Sequence, residues 1–194
     1  MLFGHGRLSG MRLARVALRA ASGDGRAFRL LFRTLHPAVY GYLALRTSSS
    51  ADAEDLTSTV FAKVVERLGS YNSGRGTPRA WALAIARNVL IDHLRAHRPH
   101  ASLTEGEPAL IDSRWSPDAS GDERLERVRA ALARYPDEVQ EMFGLRFGEG
   151  LRNREIAVVM NMTEAAVKQR FSRVIRELRR RAEGGELEEV VHAH

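Results

Sequence analysis

The chain has 194 residues, of which 44% are hydrophobic and 28% charged, with a formal net charge of +6 and no cysteine. That hydrophobic content supports a packed core and excludes wholesale disorder, and the missing thiols exclude disulfides and thiolate metal sites. The positive balance favours polyanionic partners, nucleic acid ahead of an anionic membrane surface.

The N-terminal stretch, residues 1–22, is basic, and Arg12, Arg15 and Arg19 interrupt any apolar run a signal peptide needs. It reads as an N-terminal extension of a cytoplasmic protein, with Met11 a second candidate start. No apolar run anywhere approaches the ~18 residues that suggest a membrane span. From Gly23 a helical pattern begins, with Phe28, Leu31, Phe32, Leu35, Val39, Tyr42 and Leu43 at helical spacing and Pro37 expected to break or kink it. Ser48 to Ser50 then offer a cap for a second helix. Its first turn carries Asp52, Glu54 and Asp55, where acids suit the helix dipole. Leu56, Val60, Val64 and Leu68 form its apolar stripe, joined by Phe61 and Val65, and Gly69 ends it.

Asn72 to Pro78 is a loop by composition, and Pro78 suits the first turn of the helix that follows. Trp81, Ala84, Ile85, Val89 and Leu94 mark the apolar side of that helix, with Arg79, Arg87, Asn88, Arg95 and Arg98 on or near the other. Residues 99–122 hold three prolines and no sustained period, which places a linker and a domain boundary there. Trp115, inside it, is expected to dock on a neighbouring surface. Helical pattern resumes at Glu123, is divided at Pro136 and again at Gly148 to Gly150, and ends in an acidic tail, residues 182–194. No segment carries a convincing strand signal, so the fold class is all-α.

The segment Arg154 to Arg181 carries the most specific pattern. A helix-turn-helix needs a small residue where its helices cross, a turn residue tolerant of positive φ, and an inward apolar residue on the second helix. Ala157, Asn161 and Val167 supply these in order, and Thr163 can cap the second helix. Val167, Phe171, Val174, Ile175 and Leu178 then share one face, expected to be buried. Opposite them fall Ala165, Lys168, Gln169, Ser172, Arg173 and Arg176, donors suited to base edges and phosphates. The plainer reading, a basic amphipathic helix with a solvated charged face, stands beside it; the preceding turn pattern favours DNA binding.

In this order and spacing, "AEDLTSTVFAKVVERL", "WALAIARNVLIDHLRAHR" and "YPDEVQEMFGLRFGEGLRNREIAVVMNMTEAAVKQRFSRVIREL" resemble a bacterial RNA polymerase sigma factor of the extracytoplasmic-function (ECF) group. The resemblance runs from Gly23 to Arg181. It implies two small helical domains joined by a flexible linker: sigma region 2 over residues 23–98, and sigma region 4 over 123–181. Region 2 is then expected to dock on the clamp helices of the core RNA polymerase β′ subunit, with Asp52, Glu54, Asp55 and Ser58 as candidates. It is also expected to melt and read the promoter −10 element. The loop Ser70 to Thr77 matches the one that captures a flipped base, where Tyr71, Asn72 and Arg75 can stack and hydrogen-bond. Arg79, Arg87, Asn88 and Arg95 match the basic helix that follows the non-template strand. In region 4, Lys168, Gln169, Ser172, Arg173 and Arg176 fall where the family reads the −35 element, and that region is expected to touch the β flap. An anti-sigma protein is a further possible partner.

The chain departs from the family at several points. Ser58-Thr59 stand where Gln-Glu is common, Tyr135 stands for Leu before Pro136, Arg152 occupies a capping position it cannot fill, and Ala165-Ala166 replace Gly-Thr. The Ser58-Thr59 departure motivates an alternative, a free-standing helix-turn-helix regulator that has lost polymerase docking. No catalytic arrangement is present: there is no paired carboxylate site, no Gly-rich phosphate loop and no Ser-His-Asp set. Trp81 is expected in the core and Asp92 beside an arginine. His93, His97 and His100 lack carboxylate or thiol company, so no metal and no cofactor are expected.

Overall fold

The computed structural model describes residues 10–97 and 130–183, and every regular element among them is helical. The linker with Trp115, His100 and the acidic tail beyond Glu183 lie outside the described residues. The elements are α1 (Gly10–Ala21), α2 (Gly25–Ala44), α3 (Ser50–Arg67), α4 (Pro78–Ala96), α5 (Asp137–Phe143), α6 (Asn153–Met160) and α7 (Glu164–Glu183).

The segment read from sequence as an extension contributes α1. Its Leu13, Ala17 and Ala20 are buried, and it packs along α2. Its basic residues concealed this, because Arg12, Arg15 and Arg19 lie in a helix whose apolar stripe is made mostly of small residues. At the α1–α2 turn Asp24 caps α2, accepting the backbone N–H groups of Arg26 and Ala27 at 2.9 and 3.0 Å. The Ala27 hydrogen bond, followed by the Arg19 side-chain hydrogen bond, holds the Asp24 carboxyl below the usual carboxylate range.

Helix α2 runs through Pro37 without a break. Proline removes one intrahelical hydrogen bond, but Pro37 and Arg33, whose carbonyl loses its partner, are both exposed, so water can take that carbonyl. Ser49 caps α3 as its sequence suggests, accepting the Asp52 N–H at 3.0 Å. Val65, placed on the apolar stripe by spacing, is 55% exposed, and a single 3-10 turn over Leu68–Ser70 follows α3.

Helix α4 is the centre of the molecule. Thr77 caps it and Pro78 opens it. Its buried set includes Leu83 and Leu90 as well as Ile85 and Val89, a wider face than the spacing predicts. The cause is packing on two sides: α2 and α3 cover one, and α6 covers the other. One continuous apolar cluster therefore joins the N-terminal bundle, α1–α4, to the C-terminal unit, α5–α7.

In the C-terminal unit α5 tightens into a π turn over Gly144–Gly148, and Gly150, at φ 68°, turns the chain toward α6. Helix α6 starts at Asn153 without a side-chain cap from Arg152, which has no acceptor to offer. Glu155 compensates: its carboxylate accepts the Arg152 N–H at 2.8 Å, and its own N–H donates to the Arg152 carbonyl at 2.8 Å. Asn161 closes α6 at φ 52°, ψ 48°, the only described non-glycine residue with positive φ. Thr163 caps α7, accepting the Ala166 N–H at 3.1 Å.

The Asn161 turn sets the angle between α6 and α7, so its conformation is testable. Asn161→Gly is expected to leave thermal stability nearly unchanged, whereas Asn161→Val is expected to cost about 1–2 kcal/mol, because a β-branched side chain disfavours the left-handed region. Chemical denaturation of the two variants beside the parent chain measures the difference.

Candidate nucleic-acid interface

The α6–α7 pair has the parts a groove-reading element needs. Val167 is fully buried, and Phe171 and Val174 are 7% and 5% exposed, so α7 seats one stripe against the body. Ala157, at 7%, lets the two helices approach. The stripe ends sooner than its periodicity suggests: Leu178 is half-buried, and Ile175, expected inside, is 36% exposed. On the opposite side Lys168, Gln169, Ser172, Arg173 and Arg176 are all exposed, together with the small Ala165. One ion pair touches this face, Lys168 Nζ to Glu164 at 2.7 Å, and both partners are solvent-accessible, so it is a weak competitor for DNA. The face presents an amide, a hydroxyl and three cations along one side of a helix, a set suited to base edges and phosphates in a major groove.

The N-terminal candidates divide into two groups. Asn72, Arg75, Asn88 and Arg95 are exposed. Asn72 also shapes its loop, its Oδ1 accepting the Gly74 N–H at 2.8 Å. Tyr71 differs from the expectation of an available stacking ring. It is 6% exposed, its hydroxyl donates to the Gly76 carbonyl at 3.0 Å, and its ring leans on Trp81 with centroids 5.4 Å apart. Burial pushes the Tyr71 hydroxyl pKa up. Tyr71 thus holds the loop from within, and Trp81 packs against the core as expected. A basic groove between α3 and α4, lined by Lys63, Arg67, Asn88 and Arg95 with Asp92 among them, continues the exposed group.

Arg79 and Arg87 form the second group, and both are engaged by the C-terminal unit. Arg87 Nε donates to both oxygens of Glu141, at 3.2 and 3.1 Å, and Arg79 pairs with Glu149. Thr77 completes the row, donating to the Glu155 carboxylate at 2.6 Å. Glu141 has no exposed surface. Its second support is the Tyr42 hydroxyl, which donates to Oε1, and the Tyr42 ring lies under the Arg46 guanidinium at 4.1 Å. Burial, then the neighbouring Glu141 charge, raise the Tyr42 pKa well above its ordinary value. None of these three glutamates, nor Tyr42 or Arg46, stands out as functional in the sequence. Glu141 offered one signal, an acid four residues before Leu145 on the apolar stripe of its helix, but nothing local names its partner.

The expected docking side of α3 is open. Glu54, Asp55 and Ser58 are exposed, while Asp52 is half-buried and accepts the Ser49 hydroxyl at 2.8 Å. Asp52 therefore serves the helix start as well as the surface. Beside this side, Phe32 and Phe61 meet at 4.4 Å and His36 stacks on Phe61 at 5.8 Å. His93 and His97 lie ring to ring, and among the described residues no group of His, Cys, Asp or Glu is arranged to hold a metal. No helix among the described residues is long and apolar enough to cross a membrane.

Residues 31–100 match the family Sigma-70 region 2, and residues 125–178 match Sigma-70, region 4. The ECF RNA polymerase sigma factor BldN of Streptomyces coelicolor is 34% identical over 174 residues, 87% of this chain; the chain spans 65% of the length of that relative. The ECF RNA polymerase sigma factor SigC of Mycobacterium tuberculosis is 31% identical over 160 residues, 81% of this chain and 84% of SigC. Among solved structures, CnrH in complex with the cytosolic domain of CnrY shares the fold, with a TM-score of 0.57 at 22% identity over 88% of this chain and 96% of that one. With both sigma regions matched in order and SigC covered over most of its length, the chain belongs to the ECF RNA polymerase sigma factors.

Proposed function

We propose that this chain binds core RNA polymerase in the cytoplasm and directs promoter-specific initiation of transcription, doing no catalysis itself. The observation that carries the reading is the exposed row Lys168, Gln169, Ser172, Arg173 and Arg176 on the second helix of a helix-turn-helix whose turn and cap are both formed. These residues read the −35 element as duplex. Asn72, Arg75, Arg79, Arg87, Asn88 and Arg95 engage the −10 element, with Tyr71 shaping the capture loop. Residues 23–98 act as the −10 and docking domain, residues 123–181 as the −35 domain, and residues 99–122 link them. Docking on the β′ clamp helices uses Glu54, Asp55 and Ser58, with Asp52 holding the helix start, and the C-terminal domain meets the β flap. An anti-sigma protein is a candidate regulator, as CnrH was solved with the cytosolic domain of CnrY.

The free-standing regulator is the weaker reading. The match to Sigma-70 region 2 spans the docking helix, and the Ser58-Thr59 departure leaves α3 regular, with Thr59 bonded to the Asp55 carbonyl at 3.0 Å and Ser58 in solvent. The decisive experiment is reconstitution. Purified core polymerase is expected to co-elute with the chain and to start transcripts from a genomic promoter library; neither outcome appearing refutes the sigma reading.

Two substitutions sharpen it. Arg173→Ala is expected to weaken binding to a −35 duplex by about 1–3 kcal/mol and to relax preference at one base pair. Fluorescence anisotropy on a panel of duplexes measures this, and a uniform, salt-sensitive loss would reassign Arg173 to phosphate. Glu54→Ala with Asp55→Ala is expected to weaken polymerase binding by about 1–2 kcal/mol while leaving −35 duplex affinity within a factor of about two. Unchanged co-elution removes both acids from the docking face.

A further inference from the structure

We propose that the closed chain is self-inhibited: carboxylates of the C-terminal unit stand in for DNA phosphates on the arginines with which the N-terminal bundle holds the −10 strand. The inference rests on the −10 role given to Arg79 and Arg87 above. Both arginines lie on α4, and both point at acids from the other unit, Arg79 at Glu149 and Arg87 at Glu141. A carboxylate satisfies a guanidinium with the same paired oxygens a phosphate offers. A strand cannot reach these two side chains while the glutamates hold them.

The pairing is part of a built contact. Glu141 is fully buried and keeps a second hydrogen bond, from Tyr42 on α2. Glu155 takes the Thr77 hydroxyl at the end of the capture loop. Packing closes the same seam, since a side chain added at Gly76 would meet the Val158 methyl groups at 3.5 and 3.8 Å. Helix α6 therefore lies against the end of the loop expected to take the flipped base. By contrast Lys168, Gln169, Ser172, Arg173 and Arg176 remain exposed in this same arrangement. The closed chain keeps its duplex-reading face free and its strand-holding arginines occupied. Opening the seam frees Arg79 and Arg87, so strand binding and the closed state exclude each other. Apparent affinity for single-stranded DNA is then reduced by the fraction of chains that are open.

The chain has no cysteine, so an introduced pair is the only possible disulfide. In full-length protein, Gly76→Cys with Val158→Cys is expected to bridge the seam on oxidation. The probe is a short fluorescein-labelled single-stranded oligothymidylate, read by anisotropy, with promoter-dependent transcripts from core polymerase read in parallel. The reduced form is expected to bind and initiate, and the oxidised form to lose about tenfold or more of both. Equal activity in the two forms overturns the self-inhibition and leaves the sigma reading intact. A reduced form that neither binds DNA nor supports initiation, with the parent chain equally inactive, refutes the sigma reading and the inference with it. A second variant removes dependence on the disulfide. Glu141→Gln with Glu149→Gln is expected to raise oligothymidylate affinity about tenfold over Glu66→Gln, an exposed acid on α3 away from the seam. A rise no larger than that of Glu66→Gln shows that bulk charge alone is responsible and overturns the proposal.

Discussion

The relative position of the two halves depends on one buried carboxylate. Glu141 has no exposed surface, and moving an ionised carboxylate out of water costs several kcal/mol unless charge and hydrogen bonds replace the water. Three groups do so. Arg87 brings a guanidinium to both oxygens, Tyr42 brings a hydroxyl to one, and Arg46 lies over the Tyr42 ring while donating to the Tyr42 carbonyl at 2.8 Å. Tyr42 is on α2, Arg87 on α4 and Glu141 on α5, so the network meets at one point where three helices must agree. Removing one member strands the others, and strongly directional hydrogen bonds fix register where apolar packing alone allows sliding.

From that point the placement of the DNA-reading helix follows. Helix α5 is tied to the bundle by Glu141, the π turn and Gly150 direct the chain into α6, and α6 lies along α4. Asn161 then sets the exit into α7, whose Val167 and Phe171 fix its rotation about its own axis. Rotation by one residue, roughly 100°, would bury Lys168 and expose Val167, so the burial of two apolar side chains decides which polar ones face a groove. The specificity of the face is thus a consequence of core packing on the other side of the same helix.

Local features were legible in the sequence and tertiary ones were not. The caps at Ser49, Thr77 and Thr163, the left-handed turn at Asn161 and the two faces of α7 depend on residues within a few positions of one another, where spacing and side-chain chemistry suffice. The misses share a cause. Leu83 and Leu90 escaped notice because α4 is covered on two sides, which erases a one-sided stripe. Pro37 is accommodated because its face is exposed, a fact periodicity does not carry. Tyr71 looked available because its loop is polar, yet its hydroxyl closes that loop onto Gly76. The Glu141 pairs join residues 99 and 54 positions apart, and a single chain offers no local pattern that joins an acid in one unit to an arginine in the other.

The chemistry of the seam explains why such a closure is reversible. Two helices joined only by leucines and valines separate at a cost set by the apolar area returned to water, and a polyanion offers them nothing in exchange. A guanidinium held by a carboxylate is different. When the carboxylate leaves, a phosphate supplies the same charge and the same pair of acceptors, so the arginine is never left bare. Glu141 and Glu149, once released, return to water, where a carboxylate is well solvated. The cost of opening is then confined to the apolar contacts at the seam, such as Gly76 against Val158, and to the ordering of the strand. Building the closure around Arg79 and Arg87 couples it to the partner those arginines are expected to hold, because only a ligand rich in anionic oxygens compensates both at once.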